Sequence, residues 1–155
     1  MKPNQKLTIG PMDLDWLAEA LKLDDLSSEA PALERLLGSL PALRLEGWSK
    51  GAEILREGDT GDDFFVLRSG TVSIWRLGSG PKAQKVGTLK SGDFFGEIGF
   101  LLGGARSATV RAETDSRTFR FPAKELSDLL SKHDILDRWV KKVACARLEK
   151  LFRKD

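Results

Sequence analysis

Glu97 and Arg106 are the two charged residues in the small and apolar run that follows Asp93, nine positions apart. A buried carboxylate or guanidinium is costly, and such groups go below the surface only where they are paired or ligated. Gly96, Gly99, Gly103 and Gly104 lie in the same run and let the backbone turn tightly or approach a ligand. The free N–H groups that open a short helical turn, with an arginine beside them, suit a phosphate. A carboxylate in the same pocket accepts a hydrogen bond from a hydroxyl, such as a sugar 2′-OH. Anion, sugar hydroxyl and apolar wall together describe a nucleotide whose phosphate carries little charge.

The elements that must hold this run are short strands. Thirteen of the fifteen glycines lie between Gly47 and Gly104. They separate the runs Glu53–Arg56, Asp63–Leu67, Thr71–Trp75 and Lys85–Leu89, and Ala108–Ala112 and Thr118–Phe121 follow with period-two alternation. Many short strands with turn signals at this spacing mean a sandwich or roll rather than a βαβ fold. Gly78-Ser79-Gly80-Pro81 is a loose hairpin tip. The acidic segment Glu57–Asp63 fails the spacing of a calcium loop and reads as a turn, for which Asp and Gly are well suited.

At both ends the pattern becomes helical. Leu14, Leu17 and Leu21, with Trp16, Ala20 and Leu23, recur at helical spacing behind Asp13 as N-cap. A second helix, from Ser27 or Ser28, carries Leu33, Leu36, Leu37 and Leu40 until Pro41 stops it. Beyond Pro122 the spacing predicts a helix over Ala123–Ser131, then a longer apolar stripe from Ile135 through Trp139, Val140 and Val143 to Phe152. The expected organisation is one domain: a helical segment 1–45, a β-roll 46–122 with the binding run at 92–110, and a hinge with terminal helices at 123–155.

Composition removes most other chemistry. With 155 residues, 41% hydrophobic and 31% charged, the chain reads as one ordinary globular unit, and a net charge of +2 favours neither nucleic acid nor a membrane surface. The seven basic residues of Arg138–Asp155 read as a solvated helical face, because no helix-turn-helix pattern follows them. No apolar run has membrane-spanning length and the N-terminus has no signal-peptide core, so the expectation is a cytoplasmic protein without membrane insertion. Cys145, the single cysteine, forms no internal disulfide and fits a reducing compartment. His133 is the single histidine, which argues against a multi-histidine metal site and against Ser-His-Asp or Cys-His catalysis. Gly96-x-x-Gly99 lacks the Gly-Lys-Ser/Thr of a triphosphate loop, and Glu97 has no evident partner carboxylate. No enzyme, metal or cofactor is expected.

One resemblance gathers these features. Phe95-Gly96-Glu97-Ile98-Gly99-Phe100, followed by Arg106-Ser107-Ala108-Thr109-Val110, resembles the phosphate-binding cassette of the cyclic nucleotide-binding domain family. That family supplies the sensor modules of kinase regulatory subunits, cyclic-nucleotide-gated channels and catabolite-activator-type regulators. The resemblance runs from about Leu45 to the end of the chain. It implies an eight-stranded antiparallel jelly-roll flanked by N-terminal helices and C-terminal lid helices. It also implies that Glu97 and the N–H of Gly96 take the ribose 2′-OH. Ile98 N–H, Arg106, Ser107 and the N–H of Ala108 then hold the cyclic phosphate. Leu89, Phe95 and Val86 are implied walls for sugar and base, and Arg147 lies over the base as a cation–π partner. The implied ligand is cAMP rather than cGMP, because Ser107 is shorter than the threonine of many cGMP-preferring relatives. Two departures stand out: Gly99 replaces the usual Ala or Ser, and Arg68 stands where some members place an acid that relays from the phosphate arginine. A ligand-free scaffold, or the sensor part of a DNA-binding regulator, remains as an alternative. A homodimer, an effector protein or an attached domain is left open.

Overall fold

The computed structural model describes residues 5–20, 43–78, 80–96, 103–132, 137–138 and 141. Among these, nine strands form two antiparallel sheets: β1 (Gln5–Leu7), β2 (Arg44–Trp48), β3 (Glu53–Leu55), β4 (Phe64–Ser69), β5 (Thr71–Leu77), β6 (Ala83–Lys90), β7 (Phe94–Phe95), β8 (Thr109–Ala112) and β9 (Ser116–Phe121). The first sheet has the order β1-β2-β9-β4-β7 and the second β3-β8-β5-β6. Strands that neighbour in sequence often part company between the sheets, which is the jelly-roll arrangement expected. Also among the described residues, the helices α1 (Pro11–Ala20) and α2 (Ala123–Lys132) flank the roll.

The five-stranded sheet buries apolar side chains on both faces. Along β4, Phe64 to Leu67 are all buried, a pattern that alternation with solvent cannot produce. Register sorts them. Phe65 and Leu67 point into the roll, where they join Trp48, Ile54, Val72, Phe95, Val110 and Ala112 in one core cluster. Val66 pairs with Phe119, and Phe119 with Leu45, on the opposite face. There Trp16 of α1 stacks on Phe119 with centroids 6.2 Å apart, and Leu17 is fully buried. Inside the roll the buried Trp48 indole donates from Nε1 to Thr118 Oγ1 at 2.9 Å, so its polar edge is satisfied.

The N-terminal segment departs from expectation in two ways. It begins with a strand, β1, which pairs Leu7 with Leu45 at the edge of the first sheet. Three residues are too few to show an alternation, so only the pairing partner defines them. Asp13 is not the N-cap: the helix starts at Pro11, a residue pre-organised for a first helical position. Gly10 is the cap residue, and Asp13 Oδ2 accepts from the Gly10 N–H at 2.8 Å, the return half of a capping box. The expected second N-terminal helix and most of the expected terminal stripe fall outside the described residues.

Candidate functional site

Arg106 is 8% exposed, and most of the groups that fix it come from more than forty residues upstream. The turn at Arg56–Asp59 closes through Asp59 N–H to Arg56 O at 3.1 Å. Its next two groups grip the arginine backbone: Gly58 N–H donates to Arg106 O at 2.9 Å, and Arg106 N–H donates to Asp59 O at 2.7 Å. Thr60 and Ala105 form a β-bridge beside them. Glu57 N–H donates to Thr109 Oγ1 at 2.9 Å, which ties the same turn to the start of β8. The acidic segment read as a plain turn is therefore the clamp on Arg106.

The guanidinium is placed by two carbonyls. Arg106 Nη1 donates to Asp63 O at 3.2 Å and to Gly96 O at 3.4 Å. Gly61 lies against its other edge, where a Cβ would stand 3.0 Å from both Nε and Nη2. Gly96 has φ +82°, and a Cβ there would lie 2.7 Å from Asp63 O and 3.2 Å from Arg106 Nη1. The two glycines thus let backbone lie flat against a buried cation. The two carbonyls orient the planar guanidinium fork, a shape that suits an anionic oxygen pair.

The other predicted residues gather unevenly. Phe95 is buried and stacks on its cross-strand partner Phe65, with centroids 5.0 Å apart and planes 3° from parallel. Leu89 pairs with Val72 and packs on the inner core. Ser107 is exposed and Ala108 half-buried, directly before β8. Val86 is not brought to them. The β5–β6 register shifts after Ile74, leaving Val86 as the extra residue of a bulge, 58% exposed. Gly87 sits opposite Ile74, which packs on the core, so the residue on the inner side is Gly87. Glu97, Ile98 and Arg147 lie outside the described residues. Asp59, Gly61 and Asp63 went unrecognised as site residues, although their Gly-Asp density next to a buried-charge motif was the available signal.

Arg68 has a role other than relaying from the phosphate arginine. Its Nε lies 3.3 Å from Asp13 Oδ1, and its guanidinium sits 4.7 Å from the centre of the Trp16 ring. It therefore joins β4 to α1. An open cleft of about 400 Å³ lies elsewhere, between β1 and the Asp115–Arg117 turn, and none of the predicted site residues lines it. Among the described residues no three His, Cys, Asp or Glu side chains form a metal-binding group. Also among them, no helix is long and apolar enough to cross a membrane.

Both the sequence and the fold have counterparts among known proteins. The pattern of the cyclic nucleotide-binding domain matches residues 45–133. The human potassium/sodium hyperpolarization-activated cyclic nucleotide-gated channel 4 is 34% identical over 116 residues, 75% of this chain and 9% of the channel. The chain thus spans about a tenth of that curated relative. A cyclic nucleotide-binding domain from Methylobacillus flagellatus superposes with TM-score 0.82 at 20% identity, covering 96% of this chain and 85% of that one. The regulatory domain of Toxoplasma gondii PKA, solved with cAMP, gives TM-score 0.69 at 25% identity over 86% of this chain and 49% of that one.

Proposed function

The chain belongs to the cyclic nucleotide-binding domain family, and from that premise we propose that it is a cAMP-preferring sensor whose ligand repositions the terminal helices. The observation that carries this reading is Arg106: a buried cation, gripped at its backbone and aimed between two glycine-walled loops. Its charge takes the cyclic phosphate, with Ser107 and the N–H of Ala108 beside it. Glu97 and Gly96 take the ribose 2′-OH, and Ile98 N–H completes the cradle. Phe95 and Leu89 wall the sugar and base, and Arg147 covers the base. The cAMP found with the Toxoplasma regulatory domain supports the choice of base, as does the short Ser107. The role is regulatory, with no reaction at the site.

A bound base offers the C-terminal apolar stripe a new surface, which favours one helix position by differential contact. Calorimetry with cAMP, cGMP and a cyclic dinucleotide tests the ligand. cAMP is expected to bind at least as tightly as cGMP, and Arg106→Ala to cost about 2–5 kcal/mol of affinity in a folded protein. An unchanged dissociation constant in that variant removes the phosphate role. Hydrogen exchange tests the output: added protection over 138–148 is expected with ligand. Protection confined to 92–110 would mean that the signal leaves through the N-terminal helix instead.

A further inference from the structure

Beside Phe65, on the side away from Phe95, stands a second arginine. Phe95, Phe65 and Arg120 are successive cross-strand partners on β7, β4 and β9, so their side chains form one row on the inner face. The Arg120 guanidinium lies 5.0 Å from the centre of the Phe65 ring. Its Nη1 is 3.5 Å from Asp63 Oδ2, and its Nε is 2.8 Å from Oε1 of Glu46 on β2. The second approach is a charge contact rather than an aligned hydrogen bond. Glu46 is 3% exposed, so a nearby cation is required.

Asp63 faces both arginines. Its carbonyl accepts from Arg106 and its carboxylate meets Arg120. It is also the last residue before β4, at the end of the loop whose other members hold the Arg106 backbone. We propose that Arg120 is a positioning residue for the anion site: it clamps Asp63, and Asp63 aims Arg106. Glu46 anchors Arg120 from below, and the Phe65 ring, which passes 3.2 Å from a Cβ built on Gly96, buttresses the same wall. The inference rests on the reading of Arg106 as the phosphate ligand. A lysine at 120 would keep a charge for Glu46 but lacks the fork that reaches Glu46 and Asp63 together.

The test uses cAMP as probe and reads both its dissociation constant and the melting temperature. Asp63→Asn and Arg120→Lys are each expected to stay folded and to weaken cAMP about five- to twentyfold, and the double variant to be no weaker than the poorer single one. The same Asp63→Asn change placed on Arg106→Lys should alter affinity less than twofold, because its route to the ligand is already cut. A purely structural role would lower affinity equally in both backgrounds, and that result overturns the proposal. So does wild-type affinity in both single variants. Failure of the wild-type chain to bind any cyclic nucleotide is a separate outcome, which removes the functional reading and this inference with it.

Discussion

The first sheet keeps its ion pairs between layers, and the second displays them on its outer surface. In the five-stranded sheet, Glu46, Asp63 and Arg120 lie beside the inner core, with Glu46 only 3% exposed. In the four-stranded sheet, Arg56 and Arg111 flank Glu53, Lys85 meets Glu113, and Arg111 lies 5.1 Å from the centre of the Trp75 ring. These cationic side chains are 42–66% exposed. Exposed pairs contribute little, whereas a buried charge that loses its partner is costly. The contrast extends to apolar contacts: among the described residues, the five-stranded sheet has Trp16 of α1 stacked on its far side, beside the fully buried Leu17. A change at Arg106 that reaches α1 has a contiguous path through the first sheet, by way of β4.

The sharpest test of this contrast is to delete one partner on each sheet. Arg120→Ala removes a cation from beside the buried Glu46 and is expected to cost about 3 kcal/mol or more by denaturant unfolding. Glu53→Gln on the other sheet should cost under about 1 kcal/mol. Equal losses would erase the distinction.

Gly96→Ala comes next. Positive φ and the approach to Asp63 O together predict a loss of about 1–3 kcal/mol in stability. Calorimetry should also show cAMP affinity falling at least tenfold, since the displaced carbonyl is one that aims Arg106. Arg68→Ala probes the outer face of the same sheet. A partly buried pair and a cation–π contact go together, so about 1 kcal/mol is expected, with faster amide exchange confined to Pro11–Ala20. Exchange that also rises at Gly103–Val110 would show that α1 and the site are already coupled without ligand.

The smallest effect belongs to Glu113. The Ser73 hydroxyl, then Lys85, hold its carboxyl below the ordinary glutamate value. A depressed pKa contributes stability above the unfolded value, about 4.3, and that contribution disappears as pH falls through the folded value. Glu113→Gln should therefore cost a little stability at pH 7 and nothing once pH lies below the folded value. It should flatten the acid limb of the stability curve below about pH 4.5. An unchanged limb would mean that the Lys85 contact is fully screened.

Most of the roll was legible because its strands carry β-branched and aromatic residues between glycine turns. β3, β4, β5, β6, β8 and β9 all fall on the runs singled out. The misses have a common cause. In β2, Arg44 and Glu46 alternate with Leu45, but the charged set shares the inner face with Trp48, which inverts the usual reading. β7 has two residues and β1 three, so pairing alone defines them. Arg106 was visible from its type and neighbours. Its supports at Asp59, Gly61 and Asp63 were not, because contact across forty-three residues leaves no local pattern. The position of Val86 was hidden for the same kind of reason: a bulge set by the partner strand moved it out of line.

The grip of the Glu57–Asp63 segment on Arg106 also fixes when the site comes into being. The cassette is made late in the chain and its clamp early, so nothing resembling a site exists until the two have met. Arg120, which holds Asp63 by its carboxylate, lies on β9, and β9 must slot between β2 and β4 before that hold exists. During synthesis the cassette therefore leaves the ribosome before the strand that completes its support. A ligand that needs this assembled arrangement stabilises the finished roll by mass action.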